Sequence, residues 1–477
     1  MTANDLPRPD TPPVPPPTLP ATALPATTVP AGSAGQRARW LRAGLVVLLV
    51  AGILWTVGEA CRRLEDTPAL VVNDFYAQWI PAQVALLETP AAFYSPANEA
   101  RINTFLRGLQ ASPDPDLQLV ARHGIPIFLT QTPFMYFCYS LVPADRFRQG
   151  IQWFRIANLA GLAAAVALAA HWAGWNLLAT LTFCLLGLHF HLPVISVFRN
   201  ANIGGLQVGT LLLALAATRQ THPVARLAGG WVMGWLTLLK PNLGLAPVLL
   251  LIERWRSGHR SAGTMIGTGF LLGLGTAFAL GSDLLGGPAC WTGWFRALAA
   301  LPPNRFPLAM LNISFPLLIS GLTGVGLTAP WTLAATLLPL AVLVGRRPEA
   351  GSTPPDPVRD LQVISAGLLA LLVASPIAWM HYYVFVLPAI VVHGRPPWRK
   401  ADRQTGARLA LGAAAGVLTA GIPLAHLGVQ SFTTFAWTVW AGGALSFAGI
   451  LAGLWMNPDS KTPDPVPVPD RHHGGIP

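Results

Sequence analysis

Apolar residues along this chain gather in repeated runs of about 17 to 22 positions, separated by short polar and basic connections. A bilayer core of ~30 Å takes ~20 helical residues, so each run has the length of a membrane-crossing helix. The first covers residues 41–58. Others lie near 125–142, 156–172, 176–197, 201–218, 227–252, 263–281, 328–345, 361–393, 408–425 and 434–456. Two of these runs are irregular. Residues 227–252 and 361–393 both start and end beside basic signals and carry proline and polar residues at their centres. The first has Lys240-Pro241-Asn242; the second has Ser375-Pro376 and His381. Each reads either as a broken helix pair with an outer apex or as one tilted, proline-kinked span. The stretch FLTQTPFMYFCYSLVP upsets the alternation of sides unless it is re-entrant or interfacial, so ten to twelve spans are expected.

Composition agrees with lipid as the main solvent. Of 477 residues, 52% are hydrophobic and 11% charged, against ~25% charged in soluble domains. The net charge of +11 does not point to nucleic acid, because the basic residues cluster between apolar runs. They stand at Arg219 with Arg226, Arg254 with Arg256, Arg346-Arg347, and Arg395 to Arg403, as positive-inside topology requires. By that rule 61–124, with seven acids against five arginines, forms a long first outer loop, and 282–327 is outside too. Residues 1–36 and 458–477 are Pro-rich and read as disordered tails around one membrane domain, 37–457. Arg37, Arg39 and Arg42 flank the first run, which reads as an anchor with a cytoplasmic N-terminus and not as a cleavable signal. The four cysteines show neither CxxC spacing nor a disulfide framework.

Few residues carry candidate chemistry. Asp74, in LVVNDFYAQW, has no basic neighbour within ten residues but has Phe75, Tyr76 and Trp79 after it. Desolvation of that kind raises a carboxylate pKa and makes it a better base; the alternative is a solvated loop charge. It opens a segment that reads as an amphipathic helix ending at a turn. Lys240, Arg199 and His381 lie in or beside apolar runs, where a charge needs a cavity or partner. Each reads either as a structural group or as a ligand for an anionic lipid head group. His189 and His191, two apart, fall on different helix faces, and no acid or cysteine pattern accompanies them, so no metal site is expected. There is no Walker loop and no GxSxG elbow, and Gly204-Gly205 reads as helix packing.

The order of these features resembles glycosyltransferase family 87 (DUF2029), bacterial polyprenyl-phosphate-sugar-dependent mannosyltransferases of the GT-C fold. Asp74 in the first outer loop is followed by Phe93-Tyr94-Ser95-Pro96, and RNANIGGLQVGTLLLALAATR opens a middle span. Gly234 to Pro241, Asn312-Ile313-Ser314, and Ser375 to Tyr382 complete a likeness over about 60–395. The family's usual Gly-Gln pair stands here as Ala201-Asn202 and its Tyr-Pro-Pro as Gln131-Thr132-Pro133, which leaves the donor and acceptor open.

The resemblance implies an all-α, GT-C-like bundle in a bacterial inner membrane with an extracytoplasmic active site. It implies inverting transfer of mannose or a similar hexose from a polyprenyl-phosphate donor to a glycolipid or glycan acceptor. In that scheme Asp74 is the general base. His381, Lys240 and Arg199 meet the donor phosphate, and Asn202, Tyr94, Trp379 and Tyr382 line the substrate cleft. No cofactor, metal or nucleic acid is implied. A lipid or solute transporter is the alternative, since broken helices and buried cations suit it as well. A lipid-diphosphate-dependent polymerase or ligase is a further one.

Overall fold

The computed structural model describes residues 32–65, 73–88, 92–300, 312–324, 328–345, 356–375, 377–396, 403–420 and 432–456. Among them there are nineteen α-helices and no strand, only an isolated antiparallel bridge between Asn312 and Trp379. The chain divides into two compact units, 1–48 and 49–477. In the first, the described residues are the opening half of α1 (Gly32–Glu65). That helix starts five residues before the expected domain boundary, so 32–36, expected in a disordered tail, are helical. Its side chains Trp40, Leu41 and Leu48 are exposed, as a lipid-facing helix requires. Residues 1–31 and 457–477, and the basic residues Arg346, Arg347 and Arg399, lie outside the described residues.

The second unit opens with short helices. α2 (Asn73–Leu87) is not the amphipathic helix expected from its sequence: Phe75, Tyr76 and Gln78 through Ala85 are all buried. The reason is tertiary. Phe75 packs on Tyr139, Phe147 and Phe154 with ring centroids 5.1–5.6 Å apart, and Trp79 Nε1 and Gln83 Nε2 both donate to the Val142 carbonyl. α3 (Pro96–Gly108) is capped by Ser95 and α4 (Pro115–His123) by Asp114, each followed by proline at the first helical position. Residues 124–132 then run without regular structure into α5 (Pro133–Ser140). At ~1.5 Å per residue an eight-residue helix is far too short to cross a bilayer, which agrees with a re-entrant or interfacial segment.

α6 (Phe147–Trp172), α7 (Leu177–Phe190), α8 (Leu192–Asn200) and α9 (Gly204–Thr218) follow. The α8–α9 junction bends by 108°. α9 lies so close to α6 that a Cβ at Gly209 would overlap the Gly161 backbone, the small-residue contact by which helices pack in lipid. α10 (Pro223–Leu239), α11 (Leu245–Arg256) and α12 (Arg260–Leu284) come next, α10 and α12 in the same close contact where Gly273 faces the Trp231 carbonyl. α13 (Ala289–Ala299), α14 (Phe315–Thr323), α15 (Thr328–Gly345), α16 (Pro357–Ala374), α17 (Leu387–His393), α18 (Arg403–Ala420) and α19 (Phe432–Met456) complete the chain.

Asp360 decides how 227–252 is folded. Its Oδ2 accepts from Arg219, just before α10, at 2.5 Å, and from Arg254, at the end of α11, at 2.6 Å. Both ends of the α10–α11 pair therefore meet at one carboxylate in the first turn of α16, with the Lys240-Pro241 break at the far end. That is a hairpin. In the second irregular run, α16 and α17 pack against each other.

Ten to twelve full spans are not what the described helices provide. Five are long and apolar enough to cross: α1, the α6 region, α12, α16 and α19, or six if the bent α8–α9 pair counts as one. Several expected runs are shorter helices, because proline and polar residues divide them.

Candidate functional site

Asp74 stands in the first turn of α2, with its side chain about 25% exposed. Its Oδ2 accepts from Asn202 Nδ2 at 3.2 Å and lies 3.4 Å from His381 Nδ1. Asn202 sits in the α8–α9 break, and its other amide atom, Oδ1, accepts from Gly204 N–H at 2.8 Å. One side chain thus caps α9 and holds the carboxylate. The turn is made by Ala201 in the left-handed region, φ 46°, unusual for a residue with a Cβ. Helix α8 ends there, and α9 leaves at a new angle that carries Asn202 to α2.

Lys240 approaches from the apex of the α10–α11 hairpin. It is 7% exposed, and its Nζ lies 3.3 Å from the centroid of the Tyr382 ring, a cation–π contact. No hydrogen-bond acceptor for that ammonium occurs among the described residues. The helix end beneath it is fixed by Thr132, whose hydroxyl donates to Leu238 O at 2.7 Å while capping α5. Tyr94 holds the same segment by donating to Gln131 O at 2.7 Å.

The third break, 377–386, supplies His381 and Tyr382, both buried. His381 Nε2 has no partner, and its ring meets Tyr382 edge-on at 4.6 Å. This segment is held by 312–314. Ile313 N–H donates to Ala378 O at 2.7 Å, Ala378 N–H to Asn312 Oδ1 at 2.8 Å, and Tyr383 hydroxyl to Ile313 O at 3.0 Å. Two motifs some 60 residues apart are therefore one structural unit, with Trp379 in its bridge.

The structure brings together Asp74, Asn202, Lys240, His381 and Tyr382. Tyr94 braces the 124–132 segment, and Trp379 sits in the bridge behind the site. Arg199 is exposed in the last turn of α8 and makes no ion pair among the described residues. Two groups carried no sequence signal. Tyr139, buried with an unpartnered hydroxyl, is near enough to Asp74 to feel its charge. Arg155, also buried, donates to Phe198 O beside the α8–α9 turn. A tyrosine in an aromatic run and an arginine just ahead of an apolar run look ordinary until the chain folds.

Burial pushes the Asp74 carboxyl up to about 6, opposed by the Lys240 ammonium and by the Asn202 hydrogen bond. A carboxylate poised there is ionised at neutral pH yet more basic than a solvated one. Chemically the cluster offers one partly open carboxylate able to accept a proton and a nearby ammonium free to meet an anion. No group of three or more His, Cys, Asp or Glu positioned to hold a metal occurs among the described residues. No family model, curated protein or solved structure matches this chain.

Proposed function

We propose that this protein is an integral membrane glycosyltransferase. It moves a hexose, mannose or a similar sugar, from a polyprenyl-phosphate donor to a glycolipid or glycan acceptor. The GT-C architecture, the extracytoplasmic site and the bacterial inner membrane belong to the same proposal. One observation supports it best: a partly exposed carboxylate and a buried ammonium without an acceptor converge at helix breaks in an apolar, all-helical chain.

Asp74 takes the proton from the acceptor hydroxyl as its oxygen bonds to the anomeric carbon. The bond from that carbon to the phosphate oxygen breaks on the opposite face, inverting the centre, and its electron pair leaves with the lipid phosphate. Lys240 neutralises the charge growing there, an electrostatic task favoured in a water-poor site. Asn202 and His381 act on the base: both face Oδ2, which leaves Oδ1 for the hydroxyl. A lipid phosphate is already a tolerable leaving group, so neither a nucleotide domain nor a metal is required.

The same carboxylate and ammonium beside a 108° helix break also suit a proton-coupled carrier. A purified protein given radiolabelled polyprenyl-phosphate mannose and a bacterial glycolipid extract separates the two. Transfer of label to the acceptor, lost at least ~100-fold in Asp74→Asn, is expected. Transport in vesicles without donor consumption would assign the site to a carrier.

A further inference from the structure

Far from Asp74, at the arginine-bearing end of the molecule, α17, α18 and α19 pack against one another. His393 closes α17 and is wedged between the other two: a Cβ at Gly412 would press on its Cβ, and one at Gly449 on its ring. The ring Nε2 faces Ser446 O at 3.4 Å. Arg395 follows two residues later, and Arg408 reaches in from α18. Arg408 Nη2 donates to Thr405 Oγ1 at 3.3 Å within its own helix, while its Nε is buried with no acceptor. Arg395 and Arg408 repel each other and oppose charge on His393; Asp356, the carboxylate that attracts Arg395, is itself exposed.

Arg408 lies one turn before Gly412, which packs on His393, so its partly buried guanidinium, with an Nε that has no acceptor, stands beside the end of α17 at a cost in energy that one exposed carboxylate offsets poorly. An anion with several oxygens seated between the arginines removes the repulsion and supplies the missing acceptor. The flanking surface indicates what that anion is attached to. Leu445 on α19, next to the Ser446 whose carbonyl the His393 ring faces, is an exposed apolar side chain, so an acyl chain has a surface to lie along. Basic pockets between membrane helices suit phospholipid head groups.

We propose that His393, Arg395, Thr405 and Arg408 form a binding site for the phosphate of an anionic phospholipid head group. The site is separate from the Asp74 cluster and does not depend on the activity proposed for it. The lipid bridges α17 to α18.

Thermal unfolding of the full-length protein in neutral detergent tests this, with dihexanoyl-phosphatidylglycerol, dihexanoyl-phosphatidylcholine or inorganic phosphate added at equal concentration. A ligand that binds only the folded state raises the melting temperature by mass action. Phosphatidylglycerol should raise it by several degrees and the other two should not. Arg395→Gln with Arg408→Gln should lose the response, whereas Arg122→Gln, at an exposed arginine of α4, should keep it. Should the double variant not fold, each single variant should bind at least several-fold more weakly. An equal response to phosphatidylcholine, or a response retained when both arginines are gone, overturns the site. An equal response to inorganic phosphate makes the occupant a free anion and overturns the lipid assignment.

Discussion

At the scale of single residues, Asp74 has two opposed consequences. As the base it must be ionised, so kcat/KM should fall about tenfold per pH unit below its value of about 6. A profile flat down to pH 4.5 would remove Asp74 as the base. For stability the sign is reversed. The folded chain holds this proton more tightly than the unfolded chain, whose carboxyl titrates near 3.8. The favourable contribution is complete below that value and is lost as pH rises through about 6, leaving a net cost at neutral pH. Asp74→Asn should therefore stabilise the protein by up to about 2 kcal/mol at pH 7.5 while abolishing transfer, once some solvent screening is allowed for. A lower melting temperature in that variant would contradict the burial argument.

Lys240 works on the same carboxylate. Its ammonium favours the ionised form of Asp74, so Lys240→Met should move the acid limb of the profile above 6. If it also meets the donor phosphate, the loss of transition-state stabilisation should be about 2–4 kcal/mol. An unmoved limb would show that the two groups are too well screened to interact. Ala201 gives a different kind of prediction. A left-handed alanine costs ~1–2 kcal/mol and glycine there costs ~0.4–1 kcal/mol in unfolded-chain entropy, so Ala201→Gly should gain under ~1 kcal/mol. Because Asn202 keeps its place, transfer should survive. Lost stability would mean that the Ala201 methyl packs more favourably than the turn is strained.

At the scale of elements, the breaks do the positioning and the ion pairs close the α10–α11 hairpin. Asp360 is 1% exposed, and two arginines, one just before α10 and one near the end of α11, depend on it. Arg359, its neighbour, bonds Glu253 on the α11 side at 2.9 Å, so α11 and α16 are tied twice. Removing one partner of a buried ion pair leaves charge uncompensated, at ~3–5 kcal/mol. Asp360→Asn should lower stability by about that amount, read from thermal unfolding, and lower activity per folded molecule far less. Equal loss of both would indicate that the staple also sets the geometry at Lys240.

At the scale of the molecule, the hairpin reading predicts topology. His222 and Ser257 flank the α10–α11 pair, so cysteines placed there in a cysteine-free background should label from one side of the membrane. Cysteines at Pro241 and at Trp294 should not label from that side. Labelling of 222 and 257 from opposite sides would make the pair a single crossing and undo the convergence of Lys240 with Asp74.

The amino-acid sequence alone determined that this chain lives in lipid, because long uncharged apolar runs have no other favourable solvent. It also marked Asp74, Lys240 and His381, because charge or imidazole among apolar residues is costly enough to be conspicuous without a structure. Helix breaks were legible for a related reason, since proline and polar groups interrupt backbone bonding wherever they fall. What required the tertiary structure was every relation between distant segments. The hydrophobic pattern of α2 cannot reveal that protein covers nearly all its faces, and local spacing cannot show that 312–314 pairs with 378–383. Asp360 drew no notice in the sequence, lying beside Arg359 like any surface charge, yet it closes a hairpin from over a hundred residues away. The number of full crossings was not legible either, because hydropathy measures how apolar a run is, whereas helix breaks and contacts with other segments decide whether it crosses.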